Sequence, residues 1–124
     1  MARVFRLRPH GEFDRVRQHG RSWSHPLLIV IAQTRAASPI DRARVSVAAG
    51  KKLGGAVVRN RVKRKLRAAV QQVYPHLRTT IDLIVIARQP MLEASVSDIT
   101  QALTSTLQRA QLWLERSRAE DLDR

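Results

Sequence analysis

The stretch KKLGGAVVRNRVKRKLR, residues 51–67, contains the start of the clearest helical pattern in the chain. Two adjacent glycines interrupt the chain, and apolar residues then recur at the spacing of an amphipathic helix. The apolar series runs on beyond the stretch, through Val58, Val62, Leu66, Val70 and Val73. It predicts a helix from Ala56 to Tyr74 that ends at Pro75, because proline cannot continue a helix.

The same stretch holds eight basic residues and no acidic one. With Val62 at the centre of the apolar stripe, a projection of roughly 100° per residue places the polar residues on the opposite side. The opposite side holds Asn60, Lys63, Arg64 and Arg67, while Arg59, Lys65 and Arg61 flank the stripe. A solvated helix face usually mixes both signs of charge, whereas Lys63 and Arg67 repel each other four residues apart. This predicts a face for a polyanion, with a plain solvated face as the alternative.

Upstream of this helix, the sequence predicts a short helix and two strands. Residues Pro9–His19 suit a helix, because proline fits a first turn and Gly20 can end it. WSHPLLIVIAQ, residues 23–33, reads as one strand, with Pro26 either on an edge or before the pairing begins. RARVSVAAG, residues 42–50, alternates as a second strand.

Downstream, the sequence predicts a buried strand and a final helix. IDLIVIAR, residues 81–88, is almost continuously apolar, which is typical of a strand covered on both faces. Ser95 or Ser97 would cap the last helix, whose buried stripe is Ile99, Leu103, Leu107, Ala110 and Leu114. The order is therefore α-β-β-α-β-α, in which a turn could split the second strand.

Composition limits the class of protein. The 124 residues suit one domain with a real core, and the formal net charge is +13. No acidic residue occurs between Asp41 and Asp82, so most of the charge is concentrated in one interval. Nucleic acid is the expected partner. We expect neither a membrane nor a small-molecule substrate, and the absence of cysteine fits a reducing cytoplasm.

The glycines before the helix add a second anion-binding element. Gly54 and Gly55 precede a helix start, where free backbone N–H groups point outward beside Lys51 and Lys52. A phosphate site is one interpretation, and simple turn formation is the other. The glycine pattern of nucleotide-binding P-loops is missing.

Residues 51–67 closely resemble the signature of the bacterial ribonuclease P protein subunit. The family's pattern is filled at Lys51-Lys52, Gly54, Ala56-Val57, Arg59-Asn60-Arg61, Lys63-Arg64 and Arg67. RLRPHGEFDRVRQHGRS, residues 6–22, is similar to the family's N-terminal helix region, and IDLIVIARQP, residues 81–90, to the strand after the central helix. We expect one RNA-binding domain over residues 1–116, followed by a charged tail at 117–124.

The resemblance implies a fold, an activity and a division of labour. The fold is an α/β (α+β) sandwich with a mixed four-stranded sheet, similar to one domain of a ribosomal protein, with an unusual left-handed βαβ crossover. The partners are the catalytic RNA of ribonuclease P and precursor tRNA, from which the enzyme removes the 5′ leader. Catalytic magnesium would be bound mainly by RNA, and the chain alone would carry no catalytic and no metal-binding residue.

The resemblance also implies two sets of binding residues. The RNA subunit would contact Lys51, Lys52, Arg59, Asn60, Arg61, Lys63, Arg64 and Arg67. The single-stranded leader would lie in a cleft formed by Phe13, Arg17, Ile29, Ile31 and Lys52. Cleft aromatics that are common in the family are replaced here by Arg17 and Ile31, so the cleft would use an apolar floor and a guanidinium. Whether Trp23 stacks on RNA or packs in the core stays open.

Two other functions compete with this interpretation. A ribosomal protein or RNA chaperone could share the fold without any role in cleavage, but general RNA binding does not require the Arg-Asn and Lys-Arg spacing. A protein-only nuclease would need clustered carboxylates for metal ions, and the basic interval has none. The four histidines are scattered and have no metal-ligand spacing.

Overall fold

The computed structural model describes residues 4–7, 11–36 and 42–114. Within these ranges the elements are α1 (Gly11–His19), β1 (Arg21–Ser24), β2 (Leu28–Thr34), β3 (Arg44–Ala48), α2 (Ala56–Val73), β4 (Ile81–Ala87) and α3 (Val96–Arg109). Three short 3₁₀ segments accompany them, at Lys51–Leu53, Tyr74–His76 and Gln89–Glu93. The predicted helix start at Pro9 and the predicted tail boundary at residue 116 lie outside the described residues.

The four strands form one mixed sheet in the order β1-β2-β4-β3. β2 pairs antiparallel with both β1 and β4, whereas β3 pairs parallel with β4. Parallel neighbours need a crossover, and α2 supplies it between β3 and β4. The mixed four-stranded sheet packed by helices is therefore confirmed.

The prediction of a single strand over residues 23–33 is wrong. The chain forms a hairpin there, with β1 and β2 joined at His25–Leu28, and these two residues exchange backbone hydrogen bonds of 2.8 and 3.2 Å. Pro26 lies in this turn, between two strands that both pair within the sheet, so it stands neither on an edge strand nor before the pairing begins. The split falls in the first predicted strand rather than the second.

The main core lies between α2, α3 and one face of the sheet. The apolar stripe of α2 is confirmed, because Val62, Leu66, Val70 and Val73 are all buried. Val58, in the first turn, is only half-buried. In the next segment, Tyr74 is buried and its hydroxyl donates to the carbonyl of Ala43.

The last helix begins at Ser95, the first of the two predicted caps. The Ser95 hydroxyl accepts from the Asp98 N–H at 3.0 Å, and the Asp98 carboxylate accepts from the Ser95 N–H at 3.1 Å. These bonds lower the pKa of Asp98, first through the bond from the Ser95 backbone. The helix ends at Arg109, so Ala110 and Leu114 of the predicted stripe lie beyond it and are half-buried.

Helix α1 lies on the other face of the sheet. Val16 is fully buried there, in a small second core with Leu7, Ile31 and Ile84. The helix ends at His19, and a Cβ atom on the following Gly20 would lie 2.6 Å from the Val16 carbonyl oxygen and 2.8 Å from Ile31 Cγ2. Glycine is therefore required for the end of α1 to approach β2 so closely.

A buried carboxylate anchors α1 and the start of β4. Asp82 is fully buried, and Arg44 binds it through Nε at 2.8 Å and Nη2 at 2.7 Å, while Arg35 Nη1 lies at 3.0 Å. Arg15 of α1 donates to the same carboxylate, and Arg44 also pairs with Glu12 of α1. We call these five residues the Asp82 network. The hydrogen bond to Asp82 is the largest of the effects that raise the pKa of Arg44.

Candidate nucleic-acid interface

The predicted cationic surface forms on α2 and the 3₁₀ segment before it. Six of its eight predicted residues are exposed, and the other two, Arg59 and Lys63, are half-buried. We call this surface the basic face: Lys51, Lys52, Arg59, Asn60, Arg61, Lys63, Arg64 and Arg67. The apolar stripe of α2 turns these side chains away from the sheet, so the structure brings the predicted set together.

No ion pair within the described part of the chain neutralises the basic face. The ion pairs found there all belong to the Asp82 network. The first turn of α2 contains no acidic residue either, although carboxylates are favoured at that end of a helix. The basic face therefore presents a concentrated positive charge to any partner.

Two basic residues at the edges of the apolar stripe differ from the rest. Lys65 turns inward, and its ammonium donates to the carbonyls of Met91, Leu92 and Ala94 at 3.1, 3.2 and 2.8 Å. On the other edge, Arg59 Nε is buried and has no hydrogen-bond partner in the described structure. Arg59 therefore has its guanidinium partly fixed against the protein, whereas Lys65 serves the fold.

The start of α2 combines a required glycine with an uncapped helix end. Gly54 has a φ of +143°, and a Cβ there would lie 3.1 Å from Val58 Cβ. Gly55 is the N-cap, and as a glycine it has no side chain that could accept a hydrogen bond from the first turn of α2. Gly54 thus serves the turn, and the uncapped N–H groups of α2 beside Lys51 and Lys52 can donate hydrogen bonds to an anion. The two interpretations of the glycines are compatible.

Sequence reasoning missed Val57 as part of this surface. Its side chain is 74% exposed, in line with Arg61 and Arg64 along α2. The helical projection that places Val62 inward already places Val57 outward, so the pattern contained the signal. Val57 gives the basic face an apolar contact point.

The apolar residues predicted for the second site lie on the face of the sheet that carries α1. Ile29 and Ile86 are cross-strand neighbours, and the register extends this row to Ser24 on β1 and Ala48 on β3. Ile29, Ile86 and Phe13 of α1 are partly buried and pack against the second core. We call the surface formed by Phe13, Ile29, Ile86 and Ala48 the apolar groove.

The predicted cleft residues take different places around the apolar groove. Ile31 lies in the next row of the sheet, under α1, and is only 9% exposed, so Ile86 rather than Ile31 accompanies Ile29 in the groove. Arg17 is exposed one turn after Phe13 on the same flank of α1. Lys52 is exposed just after β3, at the end where Ala48 lies, so the groove and the basic face are neighbours.

Trp23 occupies neither surface. It is half-buried on the edge strand β1 and packs against the main core. The guanidinium of Arg21 lies 5.6 Å from the centroid of its ring. Trp23 therefore packs against the core and keeps part of its surface exposed.

The described residues do not form a metal site or a membrane span. Within residues 4–7, 11–36 and 42–114, no three His, Cys, Asp or Glu side chains are grouped so that they could hold a metal ion. In the same ranges, no helix combines the length and apolar character that crossing a membrane requires.

Comparisons with known proteins agree with the geometry. The sequence model of a family described as Ribonuclease P matches residues 1–111. A ribonuclease P protein component from Herpetosiphon aurantiacus is 43% identical over all of this chain and 98% of its own length. One from Roseiflexus castenholzii is 40% identical over 89% of this chain and 88% of its own. The solved Staphylococcus aureus RNase P protein has a TM-score of 0.75 and 30% identity, covering 90% of this chain and 99% of that one.

Proposed function

Because the chain belongs to the bacterial ribonuclease P protein family, we propose that it binds a catalytic RNA through the basic face and the 5′ leader of precursor tRNA through the apolar groove. The chain is the protein component of a ribonucleoprotein that processes the 5′ ends of tRNA. The juxtaposition of a cationic helix face and an apolar groove supports the assignment of one surface to each RNA.

The basic face suits a folded RNA because its charge is unpaired and its side chains lie on a rigid helix. Cationic side chains that contact phosphates release condensed counterions, which makes the binding favourable and dependent on salt. Asn60 adds a directional donor and acceptor among the charges, and Val57 adds an apolar contact. Arg59, whose Nε is buried, would meet the RNA in a restricted orientation.

The apolar groove suits a single strand because it offers a ring, an apolar floor and cations without a fixed hydrogen-bond pattern. The row from β1 to β3 crosses four strands, or about 14 Å at typical strand spacing. Bases can stack on Phe13 and rest on Ile29 and Ile86, while Arg17 and Lys52 contact the backbone. Such contacts tolerate many leader sequences.

We propose that the RNA carries the catalysis and that the chain promotes it by binding. The described residues do not fit a magnesium site, and Glu12 and Asp82 are engaged by arginines. Magnesium is instead assigned mainly to phosphates of the RNA subunit and the substrate. The chain's cations offset the repulsion between these phosphates and so bring the two RNAs together at lower magnesium. This work would take place in the cytoplasm.

Cleavage of precursor tRNA by a bacterial ribonuclease P RNA at low magnesium, with and without this chain, tests the proposal. We expect strong stimulation and a product cut at the mature 5′ end. Tight RNA binding without stimulation would contradict the assisting role. Cleavage by the chain without an RNA subunit would contradict the assignment of catalysis to RNA.

Substitution of Arg17 with alanine is expected to weaken holoenzyme binding to precursor tRNA by about fivefold to tenfold, the effect of losing roughly 1 kcal/mol of contact energy. Binding of mature tRNA should not change, because mature tRNA has no leader in the groove. Equilibrium binding of both substrates, with Gln18→Ala as an exposed control on the same helix, checks this. Equal losses for the two substrates would show that Arg17 does not read the leader.

A further inference from the structure

A second candidate site lies at the edge of the sheet that is opposite the basic face. A cavity of about 540 Å³ opens between β1 and the residues that follow α3. Six of its lining residues matter for binding: His19, Arg21, Trp23, Gln33, Arg78 and Gln111. No acidic side chain from the described residues lines the cavity. β1 and β3 are opposite edge strands, so this cavity is separate from the surface that follows β3.

The aromatic part of the cavity is a half-buried indole with a guanidinium above it. Trp23 packs against the main core, and Arg21 lies 5.6 Å from its ring centroid. The main core fixes the orientation of the ring, so a planar ligand would meet a pre-positioned surface. RNA bases stack on both indole rings and arginine planes.

The polar part of the cavity includes a residue in an uncommon conformation. Gln111 has a φ of +61° where the chain leaves α3, a position that usually takes glycine. Arg78 Nε donates to the Gln111 carbonyl at 3.0 Å, which holds the two residues together. A glutamine at this position places an amide at the cavity, and an amide can hydrogen-bond the edge of a base.

We propose that this cavity binds one unpaired nucleotide of an RNA strand. The base stacks against Trp23 and Arg21, the amide of Gln111 contacts the base edge, and Arg21 and Arg78 contact phosphates. The concentration of cations around an aromatic ring, with no lining carboxylate, favours a nucleotide over an uncharged planar ligand. The inference does not depend on the assignment of the apolar groove to the leader.

Two RNAs could supply this nucleotide with the same chemistry. One is the part of a precursor leader that extends past the apolar groove, across the exposed Ser22 and Ser24 of β1. The other is a loop of the RNA subunit. The test therefore includes an arm for each source.

Fluorine NMR of the full chain labelled with 5-fluorotryptophan tests the site, because the chain has only two tryptophans. Trp113 does not line the cavity and stacks on His76, with 4.3 Å between ring centroids, so its resonance is an internal control. Trp113→Phe assigns the two resonances. Addition of a pentauridylate should shift the Trp23 resonance and leave the Trp113 resonance in place. A Trp23 resonance that stays unmoved while anisotropy of the labelled oligonucleotide shows saturation would overturn the proposal.

A pair of charge substitutions separates this site from general electrostatic attraction. Arg78→Gln should raise the oligonucleotide concentration at half-shift of Trp23 about fivefold, whereas Arg61→Gln on the basic face should change it less than about twofold. Equal changes in this concentration for the two variants would overturn the proposal. Thermal melts of both variants check that Arg78→Gln keeps the fold.

The source is identified in the holoenzyme with Trp113→Phe, in which Trp23 is the only tryptophan. A change in Trp23 emission on adding the RNA subunit alone assigns the nucleotide to that RNA. A change that appears only with a long-leader precursor assigns it to the leader. If neither addition changes the emission, the inference is wrong for the assembled enzyme, whatever the cleavage assay shows about the proposed function.

Discussion

Replacement of Asp82 with alanine is expected to lower the free energy of unfolding by about 3–5 kcal/mol, the effect of removing one partner from a buried ion pair. Asp82 is fully buried and accepts from Arg15, Arg35 and Arg44. Without it, three guanidinium groups at one end of the sheet lose their common acceptor and repel each other. Since a domain of this size is stable by only about 5–15 kcal/mol, much of the stability would be lost.

Urea denaturation of the isolated chain measures this effect. Asp14→Ala is the matched control, because Asp14 is an exposed aspartate on α1 and does not contribute to the Asp82 network. The urea midpoint of Asp82→Asn should fall between those of Asp82→Ala and Asp14→Ala, since the amide keeps the shape and one acceptor but loses the charge. A midpoint for Asp82→Ala that equals that of Asp14→Ala would show that the network does not stabilise the fold.

Substitution of the neighbours Arg64 and Lys65 is expected to produce opposite phenotypes. Lys65→Met should lower the free energy of unfolding by about 2–3 kcal/mol, because three carbonyls lose a charged donor while the aliphatic stem is kept. Arg64→Ala should change stability by less than about 0.5 kcal/mol, since its side chain is exposed. RNA binding should show the opposite pattern. Arg64→Ala should weaken the affinity for the RNA subunit, and the slope of the logarithm of the binding constant against the logarithm of the salt concentration should decrease by about one.

Parallel measurements of urea midpoint and of affinity for the RNA subunit at several salt concentrations test this pair. The affinity of the Lys65→Met variant is measured under conditions in which the protein remains folded, so that unfolding is not counted as a loss of binding. A stability loss in Arg64→Ala as large as in Lys65→Met would refute the assignment of Arg64 to RNA binding and of Lys65 to the fold. So would a reduced salt slope in Lys65→Met, because its ammonium would then be contacting phosphate.

The two longer helices, α2 and α3, were predictable from the sequence because each carries a periodic apolar signal. The stripe from Val62 to Val73 and the cap at Ser95 act through neighbours three or four residues away, so a local pattern determines them. The hairpin at His25–Leu28 was not predicted, because β1 contributes only Arg21–Ser24 and three of its four residues are exposed. A strand stabilised mainly by pairing has little pattern of its own.

The binding surfaces were predictable to different degrees. Six of the eight residues of the basic face lie on α2, so the helical projection was enough to place them, although the outward position of Val57 was not recognised. The apolar groove depends on register between strands, which is why Ile31 was expected where Ile86 lies. The Asp82 network joins residues 32 to 67 positions apart in the chain, and no local pattern connects them. Lys65 resembles its basic neighbours until the contacts of its ammonium are known.

Asp82 lies at one end of the sheet and the basic face lies near the other. Assembly with RNA and folding of the protein should therefore respond differently to salt. Mobile ions screen exposed charges far more than buried ones. Raising the salt should therefore strip RNA from a protein that stays folded, and lowering the salt should let the two reassemble. Binding to RNA is therefore expected to be reversible with salt while the fold is retained.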